Sequence, residues 1–328
     1  MYNEKNPKIL NEFLNYLLAI KSYSINTVKE YNRDLLLFFY FIKKYYKFKV
    51  EVKDFNQLIL LQVKKSDIIA FLVYCNYTRD NNPYTRQRKL AAIKCFYNWL
   101  LGTFPDDGIV GNPSEGIENI HKTIRLPKYL NLQQSKQIQE VFNISNSKYP
   151  IRNNAIITLF LSTGLRVSEL INIKLKDIDF QEKSIHVIGK GNKQRTVYFS
   201  EYCKKKLDQY IALRNKYRKV TSLNEPLFLS NQNKKLCRNS VYSICKNAFK
   251  NIGINELHYS PHTLRHTAAT LLYMYVKPDI LLLKEFLGHS SISSTEIYSH
   301  IDNPKVKDAV DKNPLSNFMV EPKCKKAA

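Results

Sequence analysis

Apolar side chains recur along this chain at helical spacing, and Gly, Pro and Asn stand where the spacing breaks. Residues 9–20 carry one such stripe. A second helix is expected to open at Thr27, with Glu30 three positions on in a capping-box pattern. Val28, Tyr31, Leu35, Phe38 and Ile42 then repeat on its core-facing side. A basic aromatic stretch over 43–49 and an irregular segment to about Lys65 follow. Ser66 reads as the cap of a helix running to Tyr77, Asn81, Asn82 and Pro83 mark a turn, and residues 85–101 form a fourth helix. Its Leu90, Ile93, Phe96, Tyr97 and Leu100 face inward, while Arg86, Arg88, Lys89 and Lys94 supply charge. That basic side is either a solvated face or a face turned to a polyanion.

Residues 102–116 are rich in Gly, Pro and Asp, and residues 119–127 show little apolar periodicity. The expected organisation is a helical domain over 1–118, a linker over 119–126 and a second domain over 127–328. In the second domain the pattern predicts helices near 132–142, 151–163, 166–173, 201–218, 238–251, 261–275, 279–287 and 293–300. Between two of them, residues 184–188 and 195–199 alternate around a GKGNK turn, the mark of a β-hairpin. The fold class is mainly α with a small β-sheet in the larger domain.

The 328 residues suffice for two domains with their own cores. Lys and Arg total 51 against 28 Asp and Glu, a formal net charge of +23, so the summed field attracts polyanions and nucleic acid is the leading partner. A membrane is not expected as a partner: the longest apolar run, residues 35–42, is far below the ~20 residues of a spanning helix. The polar N-terminus lacks a signal-peptide core, which points to the cytoplasm. Cys75, Cys95, Cys203, Cys237, Cys245 and Cys324 form no CxxC pair and no zinc spacing, so reduced, mostly buried thiols are expected and neither a metal nor a cofactor is implied.

The candidate chemistry lies in the second domain. Gly164 can close a helix in the left-handed conformation just before Arg166, so a guanidinium and free backbone N–H groups can converge on an anion there. The planar fork of arginine suits phosphate. Glu169, one turn on, is either the residue that orients that fork or a surface partner. Ser260 caps and Pro261 opens a helix that projects His262 and Arg265 from one face, with His266 off that stripe as a packing or supporting residue. Gly288 reads as a helix stop, placing His289 at the head of the next turn. Tyr298 is one of 22 tyrosines; a phenol, with a pKa of about 10, needs cationic neighbours or a base to become a nucleophile. Expelling a 5′ oxygen from a phosphodiester calls for an acid, and an ammonium in the hairpin turn, Lys190 or Lys193, can supply the proton.

These residues stand in the segments TGLRVSEL, GKGNKQR, PHTLRH, LGHS and STEIYSH. Their order and spacing resemble the tyrosine recombinase (phage integrase) family, most closely its Xer branch, over nearly the whole chain from about residue 9 through Tyr298. The resemblance implies a SAM-like core-binding domain and a catalytic domain closing as a C-shaped clamp on duplex DNA. It further implies homotetramers or heterotetramers on two inverted-repeat sites, with a second recombinase or an accessory protein as a possible partner. By the same likeness Arg166, His262, Arg265 and His289 bind the scissile phosphate, Glu169 buttresses that cluster, Lys190 rather than Lys193 is the general acid, and Tyr298 forms a 3′-phosphotyrosine that leads through a Holliday junction. In that setting Arg86, Arg88, Lys89 and Lys94 become a DNA-facing helix.

The chain departs from the family pattern in being longer over 44–65, and it leaves no room before residue 9 for the arm-binding domain of many phage integrases. Residues beyond Tyr298, with a helical stretch near 304–311, correspond to the segment that docks on a neighbouring protomer in the family, or form an irregular end. The competing readings are a type IB topoisomerase using the same phosphate chemistry and a DNA-binding protein without catalysis. Chromosome-dimer resolution, DNA inversion and element integration or excision all remain open as roles.

Overall fold

A computed structural model describes residues 3–105, 111–121, 128–144, 147–189, 193–217, 222–256 and 258–288. The chain divides into two compact units, Met1–Ile124 and Arg125–Ala328.

The first unit is built from helices α1 (Lys8–Ala19), α2 (Ile25–Tyr45), α3 (Gln57–Leu61), α4 (Lys65–Tyr77) and α5 (Pro83–Thr103). Helix α2 begins earlier than Thr27: Ser24 is its cap, accepting from the Thr27 N–H at 3.2 Å. Likewise Ser66 lies inside α4, whose cap position is Lys64; the Lys64 N–H donates to Asp67 at 2.8 Å. The region 44–65 is more ordered than its irregular pattern suggests, holding a 3-10 turn at Val52–Asp54 and α3, capped by Asn56. Apolar stripes on α1, α2, α4 and α5 converge on a core of packed rings. Phe96 lies edge-on to Phe13 at 5.2 Å and to Phe39 at 5.5 Å, and Phe38 meets Phe71 at 5.1 Å. Such pairs add directional preference to area burial.

Beyond α5, Gln87 captures the onset of the expected linker. Its side-chain amide donates to Asn119 and accepts from the Ile120 N–H, both at 2.7 Å. Residues 119–120 therefore run along the first unit, and the rest of that expected linker, from 122 on, lies outside the described residues.

In the second unit α7 (Pro150–Thr163) is the central helix, buried on nearly every side, with α6 (Leu132–Ile144), α9 (Glu201–Tyr217) and α11 (Pro261–Val276) against it and α10 (Arg238–Asn251) on α6. A helix surrounded this way needs little amphipathicity of its own. The expected hairpin is strands β2 (Ser184–Ile188) and β3 (Gln194–Tyr198), joined on the β2 side by a strand that the pattern does not announce, β1 (Ile178–Asp179). The antiparallel register sets Ile185 opposite Val197 and Val187 opposite Arg195. Ile185, Val187 and Val197 point into the core. Short helices α8 (Val167–Leu170) and α12 (Ile280–Leu287) complete the description, α12 packing Leu283 and Leu287 on Ala269 and Tyr273 of α11. The expected helix 293–300 and the stretch 304–311 lie outside the described residues. Among the described residues no helix is long and apolar enough to cross a membrane.

Candidate active site

Gly164 ends α7 at φ 60°, a left-handed conformation that glycine adopts without strain, and the chain turns sharply into α8. Arg166 is the residue before α8. Its N–H donates to Glu169 Oε2 at 2.8 Å, its Nη1 donates to Glu169 Oε1 at 2.8 Å, and its Nη2 donates to the Gly288 carbonyl at 2.9 Å. Glu169 is buried rather than on the surface.

Arg265, one turn into α11, is buried. It donates to the Gly164 carbonyl and to the Leu287 carbonyl, both at 2.6 Å. These are the C-terminal ends of α7 and α12, where the partial negative charge of the helix dipole favours a cation. Gly288 closes α12 at φ 60°. Arg166 and Arg265 therefore share the α12 terminus as an anchor.

His262 stands one turn before Arg265. Its outer surface is open to solvent, but enclosure of the rest by protein and then the charges of Arg265 and Arg166 lower its pKa below the ordinary histidine range. It faces the arginine cluster as a neutral ring, able to donate or accept a hydrogen bond. His266 is half-buried and pushed down to about 4, first by burial and then by His262 and Arg265.

One residue of the site is absent from the set that the sequence points to. Arg195 on β3 makes a parallel two-bond contact with the same carboxylate, Nη1 to Oε1 at 2.7 Å and Nη2 to Oε2 at 3.0 Å. The sequence does carry a signal for it: strand alternation puts Arg195 on the face of Val197, which is buried, and a charge on an apolar face needs a partner. Burial alone would raise the Glu169 carboxyl. The hydrogen bonds and charges of Arg195 and Arg166 more than reverse this and hold it below the usual carboxylate range.

Lys190, His289 and Tyr298 lie outside the described residues. The chain leading to two of them is placed. Gly189 runs against Glu169, and its N–H donates to the Lys193 carbonyl at 2.8 Å across the turn. Gly288, immediately before His289, gives its carbonyl to Arg166.

In the first unit the basic residues of α5 are not the open face expected of them. Lys89 is buried and pairs with buried Asp34 of α2 at 2.8 Å. Arg88 pairs with Glu30 at 2.6 Å and with Asp34 at 2.9 Å. Lys94 donates to the Ile117 carbonyl at 2.5 Å, and the Nε of Arg86 is enclosed. The reason is helical phase: Lys89 shares its stripe with Ile93, Phe96 and Leu100, all of them core residues. Lys89 is thereby corrected from a DNA-facing to an interior cation.

Among the described residues no group of three or more His, Cys, Asp or Glu side chains stands together in a way that could hold a metal ion.

Residues 130–304 match the phage integrase family, and residues 10–102 match the phage integrase N-terminal SAM-like domain. The tyrosine recombinase XerC of Caldanaerobacter subterraneus subsp. tengcongensis is 41% identical over 320 residues, covering 95% of this chain and 88% of that protein. The tyrosine recombinase XerD of Listeria monocytogenes is 31% identical over 303 residues, 92% of this chain and 96% of its own length. Among solved structures, the XerH site-specific recombinase bound to a palindromic difH substrate after cleavage superposes with a TM-score of 0.72 at 22% identity, covering 92% of this chain and 83% of that one. The Tn1549 transposon integrase in complex with transposon right-end DNA gives 0.70 at 18% identity, covering 93% and 99%. The chain belongs to the phage integrase family. Within it the chain is an Xer-like tyrosine recombinase, an enzyme of site-specific recombination that cleaves and rejoins DNA.

Proposed function

We propose that the cluster around Arg166 and Arg265 is the seat of the scissile phosphate, with His262 and His289 completing it, Tyr298 as nucleophile and Lys190 as general acid. The observation that carries this reading is a convergence of cations. Arg166 and Arg265 are anchored on neighbouring carbonyls of the α12 terminus, so two guanidinium groups meet in one place, Arg166 being held from behind by Glu169. A phosphodiester brought to them meets an excess of positive charge, and preorganised donors stabilise the further negative charge of the pentavalent transition state.

The step balances simply. The Tyr298 Oη, its proton lost to a base or to solvent, attacks phosphorus, and the P–O5′ bond breaks with its electron pair going to O5′. Lys190 gives a proton to that oxygen, leaving a 3′-phosphotyrosine and a free 5′ hydroxyl. Attack by a 5′ hydroxyl from a partner strand reverses the step without an external energy source, and strand exchange proceeds through a Holliday junction. In this reading Glu169 keeps Arg166 aimed, and the partner is duplex DNA with an inverted-repeat site. Two such sites are held by four protomers, in the cytoplasm.

The test uses a duplex selected from random sequence by the full-length protein. Tyr298→Phe removes one oxygen and is expected to abolish the denaturation-resistant protein–DNA adduct while binding stays within about twofold. An adduct formed by the Phe variant sinks the assignment of Tyr298. Relaxation of any supercoiled plasmid, independent of the selected site, would instead indicate a topoisomerase.

A further inference from the structure

We infer that Arg195 is a positioning residue for the leaving-group proton: it fastens the β2–β3 hairpin, and with it the turn that carries Lys190, to the carboxylate that holds Arg166. The inference rests on the assignment of Lys190 as the general acid.

Arg195 joins three segments that are far apart in sequence. Through its own backbone it belongs to β3, paired with Val187 of β2. Its guanidinium grips both oxygens of Glu169 on α8, a carboxylate whose side chain is 1% exposed, so the contact is shielded from water and from competing ions. Its flank is covered by Gly288, where a Cβ would lie 2.7 Å from Cζ, Nε and Nη1 of Arg195. The base of the turn rests on the same pair. A Cβ on Gly189 would be 3.3 Å from Glu169 Oε1 and 3.4 Å from Arg195 Nη1.

Glu169 does not need this second arginine for its own satisfaction, because Arg166 already brings an N–H and a guanidinium to its two oxygens. Adding Arg195 sets another cation beside Arg166, and its buried Nε has no hydrogen-bond partner among the described residues. What the arrangement gains is registration. The two-bond fork fixes distance and angle between strand and carboxylate, so the hairpin and Arg166 are referred to a single anchor. In the proposed step a proton passes from Lys190 to O5′ as the P–O5′ bond breaks. Arg195 touches neither atom and acts through where it holds the turn. A misplacement of about 1 Å in such a donor is enough to lower a rate about 10²-fold.

The experiment compares single-turnover cleavage of the selected duplex with cleavage of the same duplex carrying a bridging 5′-phosphorothiolate at the scissile bond. The sulfur leaves without protonation. Arg195→Ala is expected to slow cleavage of ordinary DNA about 10²-fold and to recover most of that loss on the sulfur duplex, in parallel with Lys190→Ala. Arg166→Ala, lacking a phosphate ligand, should stay slow on both. Arg195→Lys keeps the charge without the fork and should show a smaller defect with the same recovery; it decides the matter if the Ala variant does not fold. If Lys190→Ala recovers while both Arg195 variants stay slow on sulfur, or if Arg195→Ala cleaves ordinary DNA at full rate, Arg195 has no part in delivering the proton. If Lys190→Ala itself fails to recover, the acid assignment falls and this inference falls with it.

Discussion

His262 and His266 sit four residues apart on α11, beside Arg265, and both are held neutral below the ordinary histidine range. For His266, with a pKa of about 4, the consequence is a defined window of acid instability. The unfolded chain takes up a proton near pH 6.5, the folded chain only near 4, so between these values the unfolded state binds more protons and stability falls as pH falls. Above about pH 6.5 the contribution is fully present. Between about pH 7 and about pH 4.5 the unmodified protein should therefore lose up to about 2 kcal/mol more than a His266→Gln variant, read from thermal or urea unfolding of the second unit. Equal losses in both proteins would remove His266 as the cause. At this scale the charged residues divide by legibility. Arg166, His262 and Arg265 are readable because they precede or open helices with plain caps and stops. Lys89 and Arg195 are not, although each occupies a core-facing position of its own element. A charge on an apolar stripe is legible only once its partner is known, and Asp34 and Glu169 are 55 and 26 residues away in sequence.

Helix termini do much of the placing in the second unit, and glycine decides two of them. Gly164 and Gly288 both end helices at φ 60°, and their carbonyls accept from Arg265 and Arg166 respectively. Gly288→Ala faces two penalties: a left-handed conformation costing a non-glycine residue roughly 1–2 kcal/mol, and a Cβ placed 2.7 Å from the Arg195 guanidinium. Gly253 supplies the control, since its φ is 81° but a Cβ there meets nothing within 4 Å. Gly253→Ala should lower stability by about 1–2 kcal/mol and leave adduct formation unchanged. Gly288→Ala should lower stability further and slow adduct formation. Identical behaviour of the two variants would show that Arg195 and the α12 terminus are not coupled. The long elements are readable from periodicity alone, α2, α5, α7, α10 and α11 among them, together with the hairpin. What escapes are β1, of two residues, and α3, of five, both too short to show a period, and the caps of α2 and α4, where neighbouring Ser, Thr, Lys and Asp offer several competing donors and acceptors.

Across the whole molecule the excess of 51 basic over 28 acidic residues makes non-specific DNA affinity steeply dependent on salt, because each phosphate that is neutralised releases condensed counterions. The structure refines which cations are available for that. Lys89, buried against Asp34, is not among them, whereas Lys44, Lys47, Lys49 and Lys53 are exposed in the first unit. Removing one member of a buried pair leaves the other uncompensated, typically at about 3–5 kcal/mol. Arg88 also contacts Asp34, at 2.9 Å, and should soften that loss. Lys89→Met is accordingly expected to lower the melting temperature of the first unit by several degrees while leaving the slope of log K against log salt unchanged at temperatures where the unit is folded. Neutralising Lys44, Lys47 and Lys49 together should do the reverse, with little effect on melting and a shallower slope if those side chains meet phosphate; every phosphate no longer neutralised reduces the slope by about 0.9. A drop in slope for Lys89→Met with melting unaffected would mean that Lys89 leaves Asp34 for DNA and would return α5 to the role of a DNA-facing helix.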